Sequence, residues 1–259
     1  MVSREKRLFL LLVRFCTATR FLTIVRVSWR AEEDSHQFNK CLIFFPLIGA
    51  LIGVVGYLGS NLALLFFPQQ VVAVLAIIYL SFISGFLHLD GLADSADGLL
   101  SSRPREDCLN IMRDSRTGAM GVIAVVCVML AKYSALSAMD PQMFCMAIFF
   151  MPLAGRSAIL FTMARLPYAR EEGGLGGLFY SDSSKIAALA AFLLLLIFFV
   201  LLTPSHFFIA IIAILAVNYI FGRWCRKRLN GATGDTLGAV CELTEMITAL
   251  AFTASFSFF

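Results

Sequence analysis

The sequence predicts an all-α fold: a polytopic integral membrane helical bundle of about seven spans, with its N-terminus on the cytoplasmic side. Three observations lead there. Of 259 residues, 59% are hydrophobic and only 15% charged, with a mean hydropathy of +0.84, whereas a soluble domain carries roughly 25% charged residues. Two stretches, 41–87 and 186–222, contain no Asp, Glu, Lys or Arg. The basic residues gather in alternate loops.

The elements follow in order. The first apolar run, Leu8 to Val13, is too short to span and meets Arg14 at once; it fits neither a cleaved signal peptide nor a spanning helix. Leu8, Leu12, Phe15 and Thr19 share one helical face while Arg4, Arg14 and Arg20 lie elsewhere, so residues 1–30 read as an amphipathic interfacial segment. A span needs roughly 20 apolar residues. Each uncharged stretch therefore holds two spans, with turns at Pro68-Gln69-Gln70 and Thr203-Pro204-Ser205. Residues 119–139 and 142–164 form a hairpin broken at Asp140-Pro141, and 237–259 make the last span. Nothing divides the chain, so 1–259 reads as a single membrane-embedded domain.

Orientation follows from charge. Seven of the 21 basic residues precede Ser35, and eleven more cluster around Arg103–Arg116, Arg165–Lys185 and Arg223–Arg228. The three intervening turns carry no Lys or Arg. Because positive residues stay inside, all the charged loops are expected in the cytoplasm. Two basic residues fall within spans: Lys132, placed to snorkel to the outer interface, and Arg156, placed to be buried and paired. The net charge of +4 is thus an orientation signal, with no nucleic-acid partner implied. Seven scattered cysteines without a CxxC pair argue against a zinc site or a disulfide framework.

Chemistry concentrates in His88-Leu-Asp90-Gly-Leu-Ala-Asp94-Ser-Ala-Asp97-Gly98. Asp90, Asp94 and Asp97 stand at i, i+4 and i+7, one face of a helix, where like charges repel. No Lys or Arg lies between Lys40 and Arg103 to relieve them, and an uncompensated Asp in the membrane costs about 2.5–3.5 kcal/mol. A divalent cation removes both penalties, and oxygen-only ligation suits Mg²⁺; the alternative is a set of capping and turn carboxylates. Gly91 and Gly98 permit close approach of a ligand or a neighbouring helix. A second acidic set, Asp235, Glu242 and Glu245, opens and enters the last span. Intramembrane carboxylates are functional candidates, the alternative being ion pairs with Arg156 or Lys132. Between the two sets, Arg113 and Arg116 suit phosphate oxygens, and the glycine-rich start at Gly118 and Gly121 offers backbone N–H groups to an anion. Either arginine is alternatively a positive-inside anchor. The segment Arg165–Gly177 reads as a mobile or substrate-fitting loop, or a plain linker. His88 alone suits a capping or hydrogen-bonding role.

The segment Gly85-Phe-Leu-His88-Leu-Asp90-Gly91-Leu-Ala-Asp94-Ser-Ala-Asp97-Gly98, with Ile111-Met-Arg-Asp114-Ser-Arg116-Thr-Gly118-Ala-Met-Gly121, closely resembles the cobalamin synthase family, the adenosylcobinamide-GDP ribazoletransferases. The likeness extends to Phe45-Pro46-Leu-Ile-Gly49, Gly155-Arg156 and Thr233-Gly234-Asp235-Thr-Leu-Gly238. It implies a Mg²⁺-dependent phosphotransfer: a hydroxyl of α-ribazole, or of its 5′-phosphate, attacks the cobinamide-linked phosphorus of adenosylcobinamide-GDP, and GMP leaves. Taken with the acidic spacing, this leads to the expectation that Asp90, Asp94 and Asp97 hold Mg²⁺, with Asp235 and Glu242 completing the site. Arg113, Arg116, His88 and Arg156 bind substrate, and Asp114 or Asp97 acts as base. A bacterial or archaeal inner membrane is implied, with lipid around the chain, the active site facing the cytoplasm, and a homo-oligomer or an assembly with other cobalamin-pathway enzymes as the expected association. Asp94-Ser-Ala-Asp97-Gly98 also resembles the opening of the CDP-alcohol phosphotransferase motif, although no Ala-Arg pair follows at that family's spacing. A lipid phosphotransferase is therefore the nearer rival. A transporter using Glu242, Glu245 and Lys132 as an ion path is the remoter one.

Overall fold

The computed structural model describes residues 4–27, 38–170, 177, 180, 183–203 and 207–254, and these are helical almost throughout. Ten α-helices follow one another among the described residues. They are α1 (Arg4–Leu22), then a 3₁₀ segment (Phe38–Phe44) that runs into α2 (Phe45–Ala63), α3 (Gln69–Ile83), α4 (Leu87–Leu100) and α5 (Arg105–Ile111). The remaining five are α6 (Ala119–Ala138), α7 (Pro141–Arg165), α8 (Ser183–Leu202), α9 (Phe207–Leu229) and α10 (Gly234–Thr253). Among the described residues six segments are long and apolar enough to cross a membrane, and a seventh arises if the bent pair α3–α4 counts as one span.

The expected boundaries reflect local chemistry. Pro68 precedes α3, and Gln69 Nε2 donates to the Leu136 and Met139 carbonyls at 2.8 and 2.7 Å, tying this turn to the end of α6. Asp140 caps α7, its Oδ1 accepting from Gln142 N and Met143 N at 3.0 Å each, while Pro141 occupies the first turn, where no N–H is needed. Of the turn expected at Thr203-Pro204-Ser205, only Thr203 lies among the described residues, as do only fragments of Glu171–Asp182 and neither 1–3 nor 28–37.

The second span departs from expectation. At 15 residues, α3 rises only about 22 Å at 1.5 Å per residue. It ends in a Schellman cap, with Phe86 N–H on the Ser81 carbonyl (2.9 Å) and Gly85 N–H on that of Phe82 (2.8 Å). Gly85 and Phe86 both take φ of 60°, the left-handed region that a Phe adopts only under tertiary constraint. The chain thereby turns 87° into the acidic helix α4.

The centre of the bundle is α7. Its apolar window is 89% buried, against 28% for those of α6 and α8. Small residues let helices close on it, as in membrane bundles generally. A methyl group at Gly49 of α2 would meet the Pro152 carbonyl oxygen at 2.5 Å, and one at Gly155 would meet Cys241 Sγ of α10 at 2.8 Å. The outer faces are apolar and exposed, with Leu58, Leu62, Ile123, Leu130, Ile186, Leu189, Ile212 and Ile220 all more than half exposed. Such a continuous apolar surface suits lipid, since water-facing proteins rarely carry one. In α1 the buried side chains are Val13, Thr17, Ala18 and Leu22, whereas Leu8 and Leu12 face outward; the helix sets one face on the bundle and leaves the other apolar.

Candidate active site

The site forms where α4 meets the start of α10. Contact is close because both helices present glycine: a methyl group at Gly91 would lie 2.7 Å from the Asp235 carbonyl oxygen, and Gly238 packs on the His88 backbone. The close approach that Gly91 permits is therefore taken by a helix. A capping box starts α10, with Thr233 Oγ1 accepting from Thr236 N (3.2 Å) and Thr236 Oγ1 accepting from Thr233 N (2.8 Å). This fixes Asp235 in the first turn, where the helix dipole favours a carboxylate.

Arg170 reaches Asp235 from the far side. The loop after α7 is pinned to the loop before α10 by Ala169 N to the Ala232 carbonyl and Ala232 N to the Pro167 carbonyl, each 2.9 Å. Arg170 Nη2 then donates to Asp235 Oδ2 at 2.7 Å, with both side chains largely buried. The sequence marks Arg165–Gly177 as a mobile, substrate-fitting or linker segment but not the role of Arg170 within it, since the partner of Arg170 lies 65 positions away.

Asp90, Asp94 and Asp97 do line one face of α4, but they have different surroundings. Asp90 is exposed, and Asp94 half-buried. No hydrogen bond or ion pair engages either side chain among the described residues, although Asp94 lies within electrostatic range of Asp90, Asp97, Asp235 and Arg170. Asp97 is committed: its Oδ2 accepts from Gly118 N at 2.6 Å and its Oδ1 from Gly121 N at 2.9 Å. The glycine-rich amides at the start of α6, expected to hold a phosphate, are thus occupied by a protein carboxylate. Among the described residues no group of three or more His, Cys, Asp or Glu side chains is arranged to hold a metal ion by itself.

Arg113 and Arg116 lie in the loop just before α6 and are exposed. Arg116 donates from Nη2 to Asp114 Oδ2 at 2.6 Å and from Nε to Oδ1 at 3.0 Å. Those hydrogen bonds hold the Asp114 carboxyl down at about 2, so it stays ionised and is a poor proton acceptor near neutrality.

Deeper in the bundle the snorkelling expected of Lys132 fails, whereas the burial and pairing of Arg156, and the ion pairs weighed as the alternative for Glu242 and Glu245, are found. Lys132 does not snorkel; it is 2% exposed, with Nζ 2.7 Å from both Glu242 Oε2 and Glu245 Oε2. Arg156, fully buried, pairs through Nη1 with Glu245 Oε1. Two cations and two carboxylates thus close a neutral network among α6, α7 and α10, because no charge there could stand alone in an apolar interior. Glu242 accordingly serves as an ion-pair partner where a metal ligand was expected. Arg156 is fully buried within this network.

A cavity of about 210 Å³ lies against the acidic junction. Phe21, Phe45, Leu87, Ile159, Met163 and Leu237 supply apolar wall, while His88, Asp90, Tyr168, Arg170 and Asp235 supply polar groups. Phe21 and Phe45 stack at 5.9 Å. His88 is 3% exposed, and its Nε2 has no hydrogen-bond partner among the described residues.

Comparison with known proteins identifies the family. The sequence model described as cobalamin-5-phosphate synthase matches residues 14–253. An adenosylcobinamide-GDP ribazoletransferase of Alkaliphilus metalliredigens is 36% identical over 232 residues, 90% of this chain and 91% of that protein. Those of Acetivibrio thermocellus and Citrobacter koseri are 34% identical over 241 residues and 36% over 232, covering 93% and 88% of this chain and 97% and 93% of the relatives. No solved structure matches. A match that runs from α1 to the end of α10, and so takes in both acidic helices, places the chain in the cobalamin-5-phosphate synthase family.

Proposed function

We propose that this chain joins adenosylcobinamide-GDP to α-ribazole, or to its 5′-phosphate, with release of GMP, at the junction of α4 and α10. The observation that carries this reading is that Asp90, a carboxylate with no protein partner among the described residues, lines a cavity together with Asp235 and lies within electrostatic range of a second such carboxylate, Asp94, in a chain of this family. A ribazole hydroxyl oxygen bonds to the cobinamide-linked phosphorus, the bond from that phosphorus to the GMP oxygen breaks, and the hydroxyl proton passes to a carboxylate. Phosphoryl transfer of this kind asks the protein chiefly for positioning and charge neutralisation.

Mg²⁺ suits the donor set. It is held by one or two carboxylates with water and substrate phosphates, without an all-protein cage. Asp90 and Asp94 would hold it, with Asp235 adjacent, and its chemistry is to neutralise charge on the phosphate oxygens. Asp97 is left as the cap of α6, and Glu242 as a buried counter-ion. Arg170 steadies Asp235, while Arg113 and Arg116, exposed in the loop before α6, are assigned to the pyrophosphate. Asp94 is the better-placed base: Asp114 is bound by Arg116 and Asp97 by two amides. The distribution of basic residues supports a site that faces the cytoplasm, in a bacterial or archaeal inner membrane.

The test is GMP release, followed by mass spectrometry, in membranes given both substrates and Mg²⁺. Asp90→Asn and Asp94→Asn should each lower turnover by about two orders of magnitude while still inserting; wild-type turnover in both would refute the assignment.

A further inference from the structure

We infer that Arg105 is a positioning residue: on the reaction proposed above, it holds Arg170 and Asp235 in place beside the cavity. Arg105 opens α5 and does not itself line the cavity. By sequence alone it counts as one more positive-inside arginine. In the fold it is half-buried and turned onto backbone far along the chain. Its Nε donates to the Leu229 carbonyl at 2.9 Å, and its Nη2 donates to the Ala169 carbonyl.

Both carbonyls belong to the segments that carry the site. Ala169 immediately precedes Arg170. Leu229 ends α9, where carbonyls without intrahelical partners form the negative pole of the helix and suit a cation. Only residues 230–233 then separate it from α10 and Asp235. One planar guanidinium fork thus sets the spacing of two loops, through charge-assisted hydrogen bonds that are roughly twice as strong as neutral ones. The hold is reciprocal, since Arg228 of α9 donates from Nη2 to the carbonyls of Ser101 and Arg103, just ahead of Arg105. Arg170 depends on this placement of its backbone. Its Nη2 meets Asp235 Oδ2 at 2.7 Å, but its buried Nε has no hydrogen-bond partner among the described residues. A side chain with so few contacts is aimed by its backbone, so a shift of Ala169 or Leu229 draws Arg170 and Asp235 apart.

The full-length protein in lipid nanodiscs tests this by steady-state kinetics and hydrogen exchange. Arg105→Met should lower kcat for GMP release about ten- to a hundredfold, with both KM values within about twofold of wild type because no substrate contact is lost. Arg105→Lys, which keeps the charge but not the fork, should fall nearly as far. Arg103→Met removes an equal charge from the same loop and should keep kcat within about twofold. Arg170→Met should turn over no faster than the double variant Arg105→Met with Arg170→Met, because Arg105 acts through the Arg170–Asp235 pair. The amides of Ala169 and Ala232, which join the two loops, should exchange about tenfold faster in both Arg105 variants. Wild-type kcat in either Arg105 variant, an equal loss in Arg103→Met, or losses that multiply in the double variant would overturn the assignment. If Arg105→Met does not fold, Arg105→Lys, alone and with Arg170→Met, is judged by the same criteria. Wild-type protein that releases no GMP would defeat the reaction; the exchange rates then decide the role of Arg105, and unchanged rates in Arg105→Lys would overturn it.

Discussion

Asp90, Asp94, Asp97 and Asp114 are chemically one residue type, yet their neighbours assign them different work. Two amide donors make Asp97 the cap of α6, and a guanidinium occupies Asp114. Asp90 and Asp94 keep their oxygens unengaged among the described residues, which suits them to a cation and a substrate. The spacing of the three α4 carboxylates was legible in the sequence. Their division was not, because the amides that capture Asp97 lie 21 and 24 positions downstream. Asp114 yields a pH prediction. Arg116 stabilises its ionised form, so its pKa falls, to about 2, and it does not change charge anywhere near neutral pH. The kcat–pH profile of Asp114→Asn should therefore keep the wild-type shape across the neutral range. Disappearance of an acidic limb in the variant would identify Asp114 as the titrating base after all.

Among the helices, α4 and α10 decide the site, and two glycines decide how closely they pack. Both acidic motifs could be recognised separately, but that Gly91 meets the Asp235 carbonyl depends on the 87° turn after α3. That turn uses left-handed backbone at Gly85 and Phe86; glycine hints at it, whereas a phenylalanine in that region is imposed by the packing around it. Gly91→Val should push the helices apart, costing about 1–3 kcal/mol as overpacking does and reducing GMP release more steeply than stability, since the acidic groups on α4 and α10 separate. Gly59→Ala, whose added methyl meets nothing within 4 Å, should leave both unchanged. Thermal unfolding in detergent together with turnover would check the pair; equal behaviour of the two variants would show that the α4–α10 contact has no special role.

Across the whole molecule, the charge network of Lys132, Glu242, Glu245 and Arg156 holds α6, α7 and α10 together beneath the site. Breaking a buried pair leaves a lone charge, at a cost of about 3–5 kcal/mol. Lys132→Met should destabilise by that order in detergent unfolding, and Lys132→Met combined with Glu242→Gln should recover part of it, because Arg156 and Glu245 remain as a neutral pair. An additive double mutant would show that the two residues are uncoupled. The sequence by itself determined the helical class, the main breaks between spans and the family, because transfer free energy and turn chemistry are properties of short stretches of chain. It also marked the acidic faces, since helical periodicity places i, i+4 and i+7 together. Only the tertiary structure decided which carboxylates are engaged and which stay open. Lys132 finds Glu242 from 110 positions away and Arg170 finds Asp235 from 65. Such choices rest on contacts of a few ångströms that exist only once the helices have packed.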